Sequence, residues 1–225
     1  VALVEPDART QATQLYDDPK AFLSAREAQP KAVNGNWLSA ALIRLTMRDL
    51  DHLREVLPFW LRHLNVYQQT WVNATLATRE AMRLEPTANT TFANTRNELL
   101  SDEQLAWKAR AALRAADWSR VLQTIEAMPL TLAQQPVWLY WQARALSSTT
   151  AANASAQAKA LLQQIASPDN FYGQLAMQAL GQAVTSQASD ISPSRADYRA
   201  VANNPSLRRA VVAFELGLRT EAAKE

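Results

Sequence analysis

Two stretches near the middle of the chain repeat the same pattern of large and small residues. Residues 105–129 read LAWKARAALRAADWSRVLQTIEAMP, and residues 139–168 read LYWQARALSSTTAANASAQAKALLQQIASP. Three pairs of residues keep a spacing of about 34: Trp107 with Trp141, Ala109 with Ala143, and Arg110 with Arg144. Each copy ends at a proline, which predicts a helix, a turn and a second helix per copy. Because one helical hairpin cannot bury both of its apolar faces, such hairpins must stack on their neighbours.

The repeat and the scarcity of glycine together predict the fold class. A period near 34 residues is typical of tetratricopeptide-like helical hairpins. A third copy begins near residue 171, and residues 205–225 are a candidate for a fourth. The chain has only 4 glycines in 225 residues, whereas tight turns between strands depend on glycine. We therefore predict an all-α fold, an α-superhelix (solenoid) of tetratricopeptide-like helical hairpins.

Small and large residues have separate roles in this predicted packing. Small side chains at one position of each copy should let paired helices approach closely: Ala109, Ala143 and Ala176. Large side chains should fill the space between successive hairpins: Trp107, Trp118, Trp138 and Trp141. The alternative is an aromatic platform on which sugars or bases stack. The two interpretations differ in whether these tryptophans are buried.

The stretch SPDNFYGQLAMQALG at residues 167–181 marks the start of a new helix. Its first four residues predict the end of one helix and the cap of the next. We expect Phe171 and Tyr172 to pack back onto the preceding hairpin. Gly173 should leave room for a neighbouring helix, and Gly181 should end the helix.

Helix boundaries elsewhere follow from capping residues and prolines. Asp18 and Pro19 predict the start of a helix over 19–28, and further helices are predicted over 37–48, 49–63 and 67–84. Pro58 predicts a break or a kink in the third of these. In LLSDEQLAW, Ser101 and Gln104 have the spacing of a capping box. Asp17, Asp18, Asp49 and Asp51 are interpreted as cap and turn residues. The polar segment 181–205 is the predicted domain boundary.

The sequence contains no recognisable active site. It has no cysteine, which excludes disulfides and a thiol nucleophile. His52 and His63 would lie about 16 Å apart on one continuous helix, too far for joint metal ligation. No phosphate-binding or nucleophile motif occurs. We therefore predict no catalytic, cofactor-binding or metal-binding residue in this chain.

The charge and hydropathy of the sequence argue against nucleic-acid binding and against a membrane span. The net charge of +2 is small, and the cationic residues are scattered, so no nucleic-acid footprint is predicted. Arg208 and Arg209, the one adjacent pair, are interpreted as a solvated helix face. No apolar run approaches the length of a membrane span. The chain begins at Val1 without a signal peptide, which we interpret as a processed mature form or an excised segment.

Four elements in order resemble the non-catalytic part of the soluble lytic murein transglycosylases. They are SDEQLAWKARAALRAADW, VWLYWQARAL, NFYGQLAMQALG and NPSLRRAVVAFELGLRTEAAKE. The resemblance covers residues 100–225 well and 37–100 more weakly. It implies a ring-forming superhelical domain over 1–182 and the start of a helical linker domain over 183–225. The family's catalytic glutamate lies in a Glu-Ser element, followed by Gly-Leu-Met-Gln and Ala-Tyr-Asn motifs, and none of these occurs here.

The resemblance also implies a function for a parent enzyme. That enzyme would cleave the β-1,4 bond between N-acetylmuramic acid and N-acetylglucosamine in peptidoglycan, leaving a 1,6-anhydro-muramoyl end. The expected location is periplasmic. The expected partners are peptidoglycan glycan strands, the catalytic domain and proteins of cell-wall synthesis or division, with no cofactor. Two alternatives stay open at the level of sequence: a stand-alone tetratricopeptide-like adaptor that binds a peptide in its concave groove, and a glycan-binding module with exposed tryptophans.

Overall fold

The computed structural model describes residues 6–151, 153–184 and 192–225, and every regular element in these ranges is a helix. The prediction of an all-α fold is therefore confirmed. The chain divides into two compact units, Val1–Val184 and Thr185–Glu225. No helix in the described ranges is long and apolar enough to cross a bilayer.

The first unit contains helices α1 to α12. In chain order they are α1 (Pro6–Asp17), α2 (Pro19–Ser24), α3 (Gly35–Arg48), α4 (Leu50–Leu61), α5 (Val66–Met82), α6 (Ala88–Ala93), α7 (Asp102–Arg114), α8 (Trp118–Glu126), α9 (Leu130–Ala133), α10 (Pro136–Ser147), α11 (Ala154–Ile165) and α12 (Phe171–Ala179). Short 3-10 helices occupy Pro30–Ala32 and Asn97–Leu99.

Helices α2 to α5 surround the first hydrophobic core. Leu38, Leu42, Leu53 and Trp60 are fully buried in it. Asp18 caps α2 by accepting a hydrogen bond from the Ala21 amide, and Asp49 caps α4 in the same way through the His52 amide. The predicted cap roles of these two carboxylates are confirmed.

Pro58 lies inside α4, which continues to Leu61. Of the two predicted effects of Pro58, a break or a kink, the break is therefore wrong. Proline lacks an amide hydrogen and removes one hydrogen bond of the helix, but Leu57 and Trp60 on either side of it are buried in the core. Burial of these large side chains outweighs the cost of one missing hydrogen bond.

Two helical hairpins follow, at the positions that the sequence repeat indicates. Helix α7 packs against α8, α8 against α10, and α10 against α11. Ala109, Ala143 and Ala176 are all fully buried in the cores of the hairpins, as their predicted role in close helix approach requires. Trp141 borders the cores of both hairpins, as expected for a residue between successive repeats.

The two hairpin turns differ in length, and each contains a residue with a left-handed backbone conformation. In the first, Ala116 has a φ of 53°, and the Asp117 side chain caps α8 by accepting from the Arg120 amide at 3.1 Å. In the second, the segment between Ser147 and Ala154 is longer and ends at Asn153, whose φ is 65°. Left-handed backbone reverses the chain in both turns.

The start of α12 differs from the prediction at two residues. Tyr172 packs against Tyr140, with 5.7 Å between ring centroids, but Phe171 is 66% exposed and does not pack onto the preceding hairpin. A Cβ on Gly173 would lie 2.5 Å from the carbonyl oxygen of Ser167. Gly173 therefore makes room for the cap segment of its own helix, not for a neighbouring helix.

The end of α12 agrees with the prediction. Gly181 has a φ of 70°. Its amide donates to the Gln178 carbonyl at 3.1 Å, and the Gln182 amide donates to the Met177 carbonyl at 2.9 Å. This pair of bonds is a Schellman motif, in which glycine takes the left-handed position.

The second unit contains three helices in its described part: α13 (Arg195–Asn203), α14 (Pro205–Glu215) and α15 (Arg219–Ala222). Ser194 and Asp197 form a capping box at α13, and Asn204 caps α14. None of the described residues in these helices is fully buried.

Candidate functional site

The two histidines lie in α4 and just after it, and each makes local contacts. His52 Nδ1 lies 3.2 Å from Glu55 Oε2. The His63 ring lies 5.2 Å from Phe59 and 6.3 Å from Trp60, between ring centroids. In the described part of the chain, no three histidine, aspartate or glutamate side chains come together in a way that could hold a metal ion.

The tryptophans lie mostly in the interior. Trp60 is 0% exposed and Trp138 is 2% exposed, and the other repeat tryptophans are half-buried against hydrophobic cores. Trp71 on α5 is the exception, at 54% exposure, and it lies one helical turn from the exposed Tyr67. The burial of the repeat tryptophans supports their predicted packing role over a stacking platform.

A charged cluster ties α4 to α5 and to the segment between α5 and α6. The Arg54 guanidinium donates to the buried carboxylate of Glu80 at 3.0 Å and also bonds to Glu85. Hydrogen bonds to these carboxylates raise the pKa of Arg54. Thr91 donates to the other oxygen of Glu80 at 2.7 Å. Each oxygen of Glu80 is thus satisfied, as a buried carboxylate requires, and the cluster has a structural role.

A polar pocket of about 250 Å³ lies between the 3-10 helix Asn97–Leu99 and the α7/α8 hairpin. The side chains that define it are Thr95, Asn97, Glu98, Lys108, Arg120 and Thr124. Lys108 is only 5% exposed, and its ammonium donates to the carbonyl oxygen of Thr95 at 3.2 Å and to its hydroxyl at 3.0 Å. Burial, with a smaller effect of the nearby Arg120, lowers the pKa of Lys108 from 10.5 to about 8.

Arg120 is held at the edge of this pocket by contacts on its other side. Its Nη1 lies 3.0 Å from Asp117 Oδ2 and donates to the carbonyl oxygen of Asn89 at 3.0 Å. Burial opposes ionisation of Asp117, but hydrogen bonds from the Arg120 amide and the Asn89 side chain prevail and lower its pKa. The ion pair fixes Arg120 where α8 begins.

Lys108 is a functional candidate that the sequence pattern does not indicate, because it lies within the repeated tryptophan–alanine–arginine helix. Leu105, Lys108, Ala109 and Ala112 occupy one face of α7, and all four are buried. The sequence feature that indicates a buried Lys108 is a lysine on the apolar face of an amphipathic helix.

The second unit presents an apolar groove of about 540 Å³ along α13, α14 and α15. Large exposed side chains line it: Val201, Leu207, Val211 and Phe214. Arg208 and Arg209 are exposed, in agreement with the predicted solvated face, and Arg209 pairs with Glu225 at 2.6 Å.

Solved structures similar to this chain share its helical fold. One is an inactive mutant of a lytic transglycosylase from Pseudomonas aeruginosa, with a TM-score of 0.66 and 22% identity. Another is the 70-kDa soluble lytic transglycosylase in complex with bulgecin A, with a TM-score of 0.58 and 18% identity. The chain therefore has the helical fold of lytic transglycosylase structures. The predicted fold class, an all-α superhelix, is confirmed.

The similarity covers nearly all of this chain but a minor part of those proteins. In each case it covers 97% of this chain and 36% of the other. No family model and no curated protein matches the sequence.

Proposed function

We propose that this chain is the non-catalytic superhelical part of a periplasmic lytic murein transglycosylase. One observation carries the proposal: both lytic transglycosylase structures align with the chain over 97% of its length. The order of four sequence elements, from the capping box at Ser101 to the hairpin at 205–225, supports the same assignment. The parent enzyme would cleave the bond between N-acetylmuramic acid and N-acetylglucosamine and leave 1,6-anhydro-muropeptides.

In this proposal the helical hairpins support a catalytic domain and offer a surface to glycan strands. Residues 1–182 are assigned to the superhelical domain and 183–225 to the start of the linker domain. The chemistry is assigned to a lysozyme-like segment outside this chain. The burial of the repeat tryptophans supports a scaffold over a glycan-binding module.

The proposal is tested first on the gene and then on its product. The coding sequence beyond Glu225 should contain a lysozyme-like segment with a Glu-Ser element. The whole product should release 1,6-anhydro-muropeptides from murein sacculi, and this chain alone should release none. A stop codon directly after Glu225 would contradict the proposal and favour a stand-alone adaptor, to which the stacked hairpins are also suited. Release of anhydro-muropeptides by this chain alone would contradict its non-catalytic role.

A further inference from the structure

The exposed face of α5 is apolar, which distinguishes it from the neighbouring helix α7. The exposed residues of α5 are all apolar or aromatic: Val66, Tyr67, Trp71 and Met82. The exposed residues of α7 are all charged: Asp102, Glu103, Arg110 and Arg114. A surface helix normally presents polar and charged side chains to water, so an exposed apolar helix face indicates a contact surface.

The outer side of α5 forms one narrow stripe, which we call the α5 stripe. A helix turns by about 100° and rises by about 1.5 Å per residue, so five residues lie within about 80° around the axis and extend over roughly 23 Å. They are Tyr67, Trp71, Thr75, Thr78 and Met82. The charged residues of α5 lie off the stripe. Glu80 is buried, and Nη1 of Arg79 lies 3.1 Å from Sδ of Met47 on α3.

The hydroxyl groups of the threonines on the α5 stripe are already used within the helix. Thr75 donates to the carbonyl oxygen of Trp71 at 2.9 Å, and Thr78 donates to that of Ala74 at 2.7 Å. Gln68, beside the stripe, also uses both polar atoms of its side chain within the chain. An apolar surface can therefore cover these residues without leaving their polar groups unpaired. A sugar, which depends on hydrogen bonds, would find few free partners among them.

The α5 stripe matches itself when reversed, and this selects the partner. Tyr67 and Trp71 are four positions apart at one end, as are Thr78 and Met82 at the other. In an antiparallel pair with a twofold axis between residues 74 and 75, Tyr67 of one copy faces Met82 of the second copy. Trp71 faces Thr78 of the second copy in the same way. Each ring then meets a smaller or more flexible side chain, whereas a parallel pair would place Trp71 against Trp71.

We propose that the α5 stripe is the contact surface between two copies of this chain. The contact is isologous, the commonest type in dimers. Tyr67 and Trp71 are 64% and 54% exposed. At roughly 150–250 Å² per aromatic side chain, they supply about a third of the 800 Å² that each partner buries in a standard interface. We therefore expect a weak dimer, with a dissociation constant of about 10–100 µM.

Sedimentation of the 225-residue chain at several concentrations tests the proposal. We expect a monomer at about 1 µM and mostly dimer at about 500 µM. Trp71→Glu should weaken the dimer at least about thirtyfold, because each copy would bury an unpaired charge at the interface. Leu130→Glu is the matched control, because Leu130 is 71% exposed on α9, outside the stripe. This variant should dimerise as the wild type does, and circular dichroism checks that both variants are folded.

The apolar groove of the second unit is the competing surface for self-association. Val211 lines this groove and is 50% exposed. Val211→Glu places the same charge there as Trp71→Glu places on the α5 stripe. We expect Val211→Glu to leave the dissociation constant of the dimer unchanged.

The orientation of the two helices can be tested by crosslinking, because the chain has no cysteine of its own. Position 75 lies next to the proposed twofold axis, so mild oxidation of Thr75→Cys should link two copies through a disulfide. Met82→Cys is the matched control on the same stripe. Across the axis its two copies would lie about 23 Å apart, too far for a disulfide.

Three results would overturn the proposal. One is a monomer at every concentration. The second is a dimer that survives Trp71→Glu, or that Leu130→Glu or Val211→Glu weakens to the same extent. The third is crosslinking of Met82→Cys as efficient as that of Thr75→Cys, which would exclude the antiparallel pair. None of these measurements involves murein, so they stand or fall separately from the proposed function.

Discussion

At the scale of single residues, Lys108 couples the stability of the fold to pH. Its pKa is lowered from 10.5 to about 8, so the unfolded chain binds more protons than the folded chain between these two values. The favourable contribution of this residue to stability is therefore fully present above pH 10.5. It decreases as the pH falls towards 8 and is absent at lower pH. The whole shift corresponds to about 3 kcal/mol.

We expect the free energy of unfolding of the wild type, relative to Lys108→Met, to rise by about 2–3 kcal/mol between pH 7 and pH 10. Urea unfolding of both proteins at several pH values measures this difference. The control is Lys159→Met, because Lys159 is exposed on α11. For that variant the difference from wild type should stay constant. A constant difference for Lys108→Met as well would show that Lys108 does not experience the burial described here.

Individual side chains were the least predictable part of this fold. The sequence placed Phe171 and Tyr172 together at the start of α12, but a helix turns by about 100° per residue, so neighbours face different directions. Tyr172 faces Tyr140, whereas Phe171 faces solvent. The close approach at Gly173 comes from Ser167, and the path of that cap segment was not visible in the pattern.

At the scale of elements, caps were predictable because they are local. The sequence predicted the capping box at Ser101 and Gln104 from a spacing of three residues, and both hydrogen bonds are present, at 3.3 and 3.0 Å. The same logic placed Asp18 and Asp49 correctly at the starts of α2 and α4. Pro58 was predicted less well, because its tolerance depends on the core around α4 and not on its neighbours in sequence.

The cap at α7 provides a prediction for one element. Ser101→Ala removes the side chain that accepts from the Gln104 amide, so the free energy of unfolding should fall by about 1 kcal/mol. Ser119→Ala is the matched control because Ser119 is exposed inside α8, where alanine is a good helix former. It should leave stability unchanged or slightly higher. Equal urea midpoints for the two variants would contradict a stabilising role for the capping box.

At the scale of the whole molecule, the repeat predicted the order of the hairpins but not the polar pocket between the 3-10 helix Asn97–Leu99 and the α7/α8 hairpin. The 34-residue spacing reports side chains that recur, such as Ala109 and Ala143. The pocket depends on residues that do not recur, because position 108 is lysine and the matching position 142 is glutamine. The domain boundary predicted after residue 182 stays a prediction.

The two compact units should differ in their ability to fold alone. The first contains several hydrophobic clusters with fully buried side chains, whereas no described residue of α13, α14 or α15 is fully buried. Conformational entropy costs about 1–2 kcal/mol per ordered residue, and only buried apolar area offsets it. The isolated segment 185–225 should therefore lack a cooperative thermal transition by circular dichroism.

Residues 1–184 expressed alone should unfold in urea with the same midpoint as the first unit within the full chain. Tryptophan fluorescence measures this midpoint in both proteins, because all seven tryptophans lie in the first unit. A cooperative transition in the isolated segment 185–225 would show that it has a core of its own. A lower midpoint for residues 1–184 would show instead that the second unit stabilises the first. If neither result is observed, the second unit lacks a core of its own. The apolar groove lined by Leu207, Val211 and Phe214 then belongs to a unit that must bury more apolar surface to be stable.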